Sequence, residues 1–331
     1  MSATELWDRP VHWEPVPDRV WQPTVRSLHR WSQVIGKIRL ALAEPLPHWW
    51  HAALYVSPAG LTTSPIPYRR GMIELELDLR HDELDLQASD GRRWSLPLRP
   101  MSVAEFYRAT LALLASADVG VRIRPVPVEV VDAIPFAEDT APGGYEPDHA
   151  RALHGALMQA HRVLTRFRAG YVGKASPVHF FWGSFDLAMT RFSGRPAPPH
   201  PGGVPNCPDW VMQEAYSHEV SSAGWWPGTE GSSIGAAFYA YMYPEPPGYR
   251  EASIRPAGGA YDADIGEFVL PYNEAAGTDD PDATVESFLR ATYDVGAALA
   301  GWERAVLERA TQPGLVHSAP DDQRVVSRAS R

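Results

Sequence analysis

One cysteine, Cys207, is all the chain has, so neither an intrachain disulfide nor a cysteine-based zinc site can form. It stands between Asn206 and Pro208, with nothing nearby to lower its pKa, so an incidental loop thiol is expected. No run approaches the roughly 18–20 uninterrupted apolar residues that cross a bilayer. The start, MSATELWDRPVHW, lacks the basic opening and apolar stretch of a secretory signal. Together these absences lead to the expectation of a soluble, cytoplasmic protein with no membrane partner. Positive charge is scarce too: 30 Lys and Arg stand against 40 Asp and Glu, a formal net charge of -10. That balance disfavours nucleic acid, whose binding rests on clustered Lys and Arg. Glycine-rich phosphate loops are missing, since neither GxGxxG after a strand nor GxxxxGK occurs. The usual ATP- and NAD-dependent chemistries go with them, and no cofactor is indicated.

What is present suffices for a sizeable core: 331 residues, 44% of them hydrophobic. Helical spacing of apolar residues predicts four helices, over about 24–43, after Ser102, over about 148–169 and over about 282–309. Ser102 with Glu105 reads as a capping box. Between the first two helices, ALYV, GMIELELDLR, DELDLQAS and RRWSLPL read as antiparallel strands, with Asp90 and Gly91 at a hairpin turn. Between the last two, VHFFWGSFDLAMTRF, HEVSSAGWW, AAFYAYMY and GEFVLPY read likewise. The expectation is an α+β fold of two related halves, each helix, antiparallel strands, helix, with the sheets joined or facing. An extended Trp/Pro-rich arm (1–23) precedes the first half (24–135); the second half (148–310) is followed by a flexible tail (311–331).

The halves resemble one another. RSLH at Arg26 matches RALH at Arg151, and SVAEFYRAT at Ser102 matches TVESFLRAT at Thr284. The run from His48 to Pro67 also lies without a gap on His179 to Pro198. In that overlay the second copy places Asp186 against Tyr55, Arg191 against Gly60 and Arg195 against Ser64, polar residues a shared fold does not need. The extra length of the second half is GRPAPPHPGGVPNCP, and a Gly/Pro loop of that length is either disordered or lies over a site. HFFWGSFDLAMTRFSGR, then SHEVSSAGWWPG and FYAYMYPEP, resembles the signature of a bacterial family described only as a domain of unknown function. The resemblance covers nearly the whole chain and implies an intracellular bacterial setting, but no activity.

Strand alternation then marks the residues suited to chemistry. Trp182, Ser184 and Asp186 share one face of the His179 strand, and Phe181, Phe185, Leu187 and Met189 share the other, the core face. Tyr239, Tyr241 and Tyr243 alternate with Phe238, Ala240 and Met242. If these polar faces meet, an aromatic cleft with a carboxylate in it results, a form that suits small ligands. Arg191 and Arg195 are candidates to fork onto a ligand carboxylate or phosphate, or else to close salt bridges. Trp225 is a candidate for ligand contact or for packing. Asp186 or His218 would serve as acid or base, and His179, Asp186 and His218 form a candidate metal set, although no HExxH spacing supports it. Two readings stay open: a small-molecule site in the second half, catalytic or not, and a non-enzymatic interaction or scaffold protein whose aromatics are packing.

Overall fold

Two antiparallel sheets of six strands each, with helices against them, form an α+β fold in two halves. The computed structural model describes residues 12–309 except 230, 231, 233 and 257. The tail expected over 311–331, and Trp7 and Pro10 of the expected arm, lie outside the described residues.

The first half opens with α1 (Gln22–Leu42) and continues through β1 (Tyr55–Val56), β2 (Gly60–Thr62), β3 (Ile66–Tyr68), β4 (Gly71–Asp78), β5 (Glu83–Ala88) and β6 (Arg93–Pro97) to α2 (Val103–Ser116). Its strand order is β1-β2-β4-β5-β6, with β3 also beside β4. The apolar stripe of α1 buries Leu28, Trp31, Ile35 and Ile38, and Trp31 stacks on Phe106 of α2 at 4.9 Å between ring centroids. Ser102 caps α2 by accepting the Glu105 N–H at 3.1 Å, while the Glu105 carboxylate turns to Arg99, so half of the capping box is made. In β4 the alternation of IELELDL turns Ile73, Leu75 and Leu77 into the core.

The second half runs from α3 (Pro147–Ala169) through β7 (His179–Phe181), β8 (Asp186–Pro196), α4 (Asp209–Ala215), β9 (His218–Trp226), β10 (Ala237–Tyr243), β11 (Ala260–Asp262) and β12 (Glu267–Pro271) to α5 (Tyr272–Ala276) and α6 (Pro281–Leu299). Its order is β11-β12-β10-β9-β8-β7. The sheets join edge to edge, because Leu54 and Phe180 exchange backbone hydrogen bonds of 2.8 and 2.7 Å. Trp13, fully buried, fastens the incoming chain onto the second half by donating to Asp282 at 3.0 Å.

Three expectations need correction. The fourth helix ends at Leu299 and does not reach Arg309; Gly301, at φ +61°, turns the chain before the short helix Arg304–Leu307. VHFFWGSFDLAMTRF is two strands, broken by a tight turn over 182–185 with Phe185 at φ +61°. That turn resets the alternation and carries Phe181 onto the face of Asp186, which it pairs directly, and away from Leu187 and Met189. Finally, the gapless overlay slips the hairpin. The helix match from Arg26 to Arg151 has an offset of 125, and the same offset carries the β1–β2 pair Tyr55↔Thr62 onto the β7–β8 pair Phe180↔Leu187. The overlay of His48 on His179 is six positions out of step with this, so Asp186 corresponds to the buried Leu61, not to Tyr55.

Candidate functional site

The second sheet has two unlike faces. Leu187, Met189, Ala223, Trp225, Phe238 and Ala240 form the face covered by α3 and α6. On the other face, register aligns Ala188 with Gly224 and Tyr239, and Thr190 with Ser222 and Tyr241. Above this second face is a cavity of about 270 Å³. The first half closes one side with Lys37 and Leu40 of α1 and with His48, Trp49 and Trp50 of the 3-10 segment Pro47–Ala52. Val128 and Glu129, from the segment joining the halves, add another wall. The roof is the end of the Gly/Pro loop, Cys207 and Pro208, with Val211 and Met212 of α4. The long loop therefore lies over the cavity, held by a bond from Glu129 N–H to the Pro205 carbonyl at 2.7 Å. The cavity sits between the halves, whereas the sequence had placed a site within the second alone.

Asp186, 6% exposed, accepts hydrogen bonds from the Ser184 hydroxyl and the Tyr239 phenol. Burial raises its pKa, and those two hydrogen bonds offset the rise only in part. Tyr239 reaches the carboxylate by crossing Gly224, where a Cβ would overlap the phenol oxygen and the Leu187 carbonyl. Burial and the Asp186 charge hold the Tyr239 phenol well above its ordinary pKa, which keeps it a donor. Tyr241 shares a 2.7 Å hydrogen bond with Tyr216. Behind them Glu267 is pushed up to about 8, first by burial and then by Asp186.

The other walls hold a cation and a second carboxyl. Lys37 is 5% exposed, its Nζ 5.4 Å from the centroid of the Trp182 ring, and burial lowers its pKa to about 8. Trp182 is fixed by donating Nε1–H to the Ala52 carbonyl at 2.7 Å. Glu129 lines the cavity with its side chain exposed; the surrounding protein, then the Asp186 charge, pushes it up to about 7. His48 is oriented at both nitrogens, with Nδ1 3.0 Å from the Ala215 carbonyl and Nε2 2.7 Å from Lys174 Nζ. This fits a neutral ring that donates through Nδ1 and accepts through Nε2. His48, Trp49 and Glu129 have φ of 57°, 62° and 58°. Three non-glycine residues held in this sparsely populated region around one cavity are the kind of strain that gathers at functional sites.

The model of a family of unknown function, DUF5996, matches residues 13–309, which hold both halves and every wall of this cavity. The chain belongs to the DUF5996 family. No curated protein and no solved structure matches it.

In this DUF5996 chain, five of the residues singled out from the sequence line the cavity: Trp182, Ser184, Asp186, Tyr239 and Tyr241. Four do not. Arg191 has odd parity relative to Asp186 and projects through the other face, 4% exposed, with its guanidinium 3.5 Å from the Phe167 centroid and 4.3 Å from that of Tyr293. It donates to the Phe167 carbonyl, and burial lowers its pKa to about 10. Arg195 binds Glu219 at 2.7 Å and the Ala300 carbonyl at 2.7 Å, tying β8 to the end of α6. Trp225 is wholly buried against Trp21 and Tyr272 on the covered face. His218 lies outside the lining, its ring 5.6 Å from that of His48. His179, Asp186 and His218 do not converge, and no group of three metal-ligating side chains occurs among the described residues. Because Arg191 fills volume between rings, Arg191→Leu is expected to stay within about 1 kcal/mol of wild type while Arg191→Ala costs about 2 kcal/mol. Urea unfolding measures both; a larger loss for leucine would show that the charge, not the volume, holds the cage.

The sequence reading missed Lys37, Glu129 and His48, and it dismissed Cys207, which does line the cavity but whose thiol is pushed up, chiefly by burial. One signal was available. Gln33 and Lys37 are one turn apart among the apolar Trp31, Val34, Ile35 and Ile38, and polar side chains in such a stretch need a partner or a task. Gln33 has partners, the Val128 N–H at 2.9 Å and the Val128 carbonyl at 2.8 Å.

Proposed function

We propose that the chain binds a small, largely apolar molecule in the cavity between its halves, with Asp186 as the acid–base group toward it. The observation that carries this reading is a desolvated carboxyl, held by Ser184 and Tyr239, in an aromatic-walled space of about 270 Å³. A water needs only about 10–15 Å³, and mostly apolar spaces with a few placed polar groups suit small ligands. His218 has no part in this reading, since it does not line the cavity.

Native mass spectrometry of gently purified protein tests it. Wild type is expected to carry a small molecule, or to gain thermal stability from members of a panel of small aromatic compounds, and Ala188→Phe, which fills the floor, is expected to abolish both. An apo mass with no response to the panel would overturn the reading. Asp186→Asn supplies a second check. The raised pKa of Asp186 means its ionisation costs stability as pH rises above its ordinary 3.8. Asp186→Asn should therefore be about as stable as wild type at pH 4 and more stable at pH 8, while ligand affinity falls about ten-fold, worth about 1.4 kcal/mol. A variant that unfolds more easily at both pH values would mark Asp186 as a structural bond instead.

A further inference from the structure

Lysine is nearly absent from this chain; Lys37 and Lys174 are its only two, every other strong base being arginine. Both lie near the cavity, in unlike states. Lys174 has a partner in His48, 2.7 Å away, and sits over the Trp50 and Phe192 rings at 5.5 and 5.1 Å. Lys37 lines the cavity and makes no hydrogen bond or ion pair among the described residues. A buried ammonium without an acceptor is unfavourable, and burial shifts it toward the neutral amine. Glu129, on the adjoining wall, likewise makes no side-chain hydrogen bond or ion pair among the described residues. With the amine near 8 and the carboxyl near 7, both change protonation close to neutral pH. The charges that act on Lys37 are those of Arg124 from the joining segment and Cys207 from the roof, and the other titratable groups lining the cavity are His48, Glu129, Asp186, Tyr216, Tyr239 and Tyr241. An amine without a hydrogen-bond acceptor and a protonable carboxyl lining the same cavity are the equipment for condensation with a carbonyl.

We propose that Lys37 forms an imine with a small aldehyde or ketone held in the cavity, Glu129 moving the protons. This rests on the cavity being a small-molecule site. The Nζ lone pair attacks the carbonyl carbon, a C–N bond forms, and the π pair moves to oxygen, which takes the Glu129 proton. The nitrogen then returns a proton to the Glu129 carboxylate. That proton leaves with the hydroxyl as water while the nitrogen lone pair closes the C=N bond, and the last N–H proton of the resulting iminium returns to the Glu129 carboxylate. One carbonyl compound and one amine become one imine and one water, and no oxidant or reductant takes part.

The two lysines make the test internal. The full chain is incubated with benzaldehyde and sodium cyanoborohydride between pH 6 and 9, and benzylated peptides are quantified against time. Lys37 is expected to be modified at least ten-fold faster than Lys174, with a rate that peaks between pH 7 and 8, where the neutral amine and the protonated carboxyl coexist. Glu129→Gln is expected to slow Lys37 about ten-fold without changing Lys174, and Lys37→Met to remove the fast adduct. Saturable quenching of tryptophan fluorescence by benzaldehyde, read in parallel, reports occupancy of the cavity. Quenching with Lys37 no faster than Lys174 overturns the imine and leaves the ligand site standing, with the amine as a counter-ion. Neither quenching nor a fast adduct overturns both.

Discussion

Gly36→Ala is expected to destabilise the protein by about 2–4 kcal/mol, reversing the gain of about 1 kcal/mol that the change brings in an ordinary helix interior. Gly36 lies inside α1, and a Cβ there would overlap the indole of Trp182. The indole cannot step aside cheaply, because its Nε1–H is committed to the Ala52 carbonyl at 2.7 Å and Lys37 flanks it. Displacing it strands the Ala52 carbonyl and opens the wall, so the cavity and its ligand response go together. Urea unfolding of Gly36→Ala, Trp182→Ala and the double variant checks the mechanism. Residues in contact couple, so the double variant should be no less stable than Trp182→Ala alone, a coupling of about 2 kcal/mol or more. Additive losses would mean that the glycine and the indole do not meet, and a neutral Gly36→Ala would remove the wall altogether.

The same contact shows how far a linear reading extends. Alternation within a strand is local, so Asp186, Tyr239 and Tyr241 were legible as one kind of face before their neighbours were known. Arg191 was read as a ligand candidate, although parity alone, five positions after Asp186 in one strand, sends it to the other face, where its guanidinium stacks on Phe167. The break over 182–185 was not legible, because Phe185 adopts a left-handed backbone that its side chain disfavours and only tertiary packing sustains. Helices and most strands followed from periodicity, and the join of the sheets at Leu54 and Phe180 resolved an arrangement the pattern had left open. Lys37 and Glu129 come from a helix and a joining segment of the other half, and only docking brings them to the Asp186 face. Neither periodicity nor motif spacing encodes that meeting. Gln33 and Lys37, polar and one turn apart among Trp31, Val34, Ile35 and Ile38, were the one local sign of it.

His179→Phe is expected to be at least as stable as wild type at neutral pH and to hold that stability in acid where wild type loses it. His179 is 0% exposed, and neither ring nitrogen has a hydrogen-bond partner among the described residues. Its neighbours are aromatic, with Phe181, Tyr55 and Trp50 at 4.7, 6.2 and 6.3 Å between centroids, so a phenyl ring suits the site. Removing two orphaned nitrogens is worth about 1 kcal/mol. Burial, reinforced by the Arg39 and Arg168 charges, lowers the ring's pKa from 6.5 to about 3. A folded-state pKa below the unfolded one gives stability that is whole above pH 6.5 and drains as pH falls toward 3. At about 1.4 kcal/mol per pH unit, wild type loses about 2–3 kcal/mol from this group by pH 4.5. Asp186, Glu129 and Glu267 act in the opposite sense, since their raised pKa values make acid favourable. The sum of all groups therefore hides the histidine, and only the difference between wild type and His179→Phe isolates it. Chemical denaturation from pH 8 to pH 4.5 should give a difference that is flat above 6.5 and grows below it. A difference that stays flat throughout would show that the folded protein accepts a proton on His179 as readily as the unfolded chain does, through a partner on the ring.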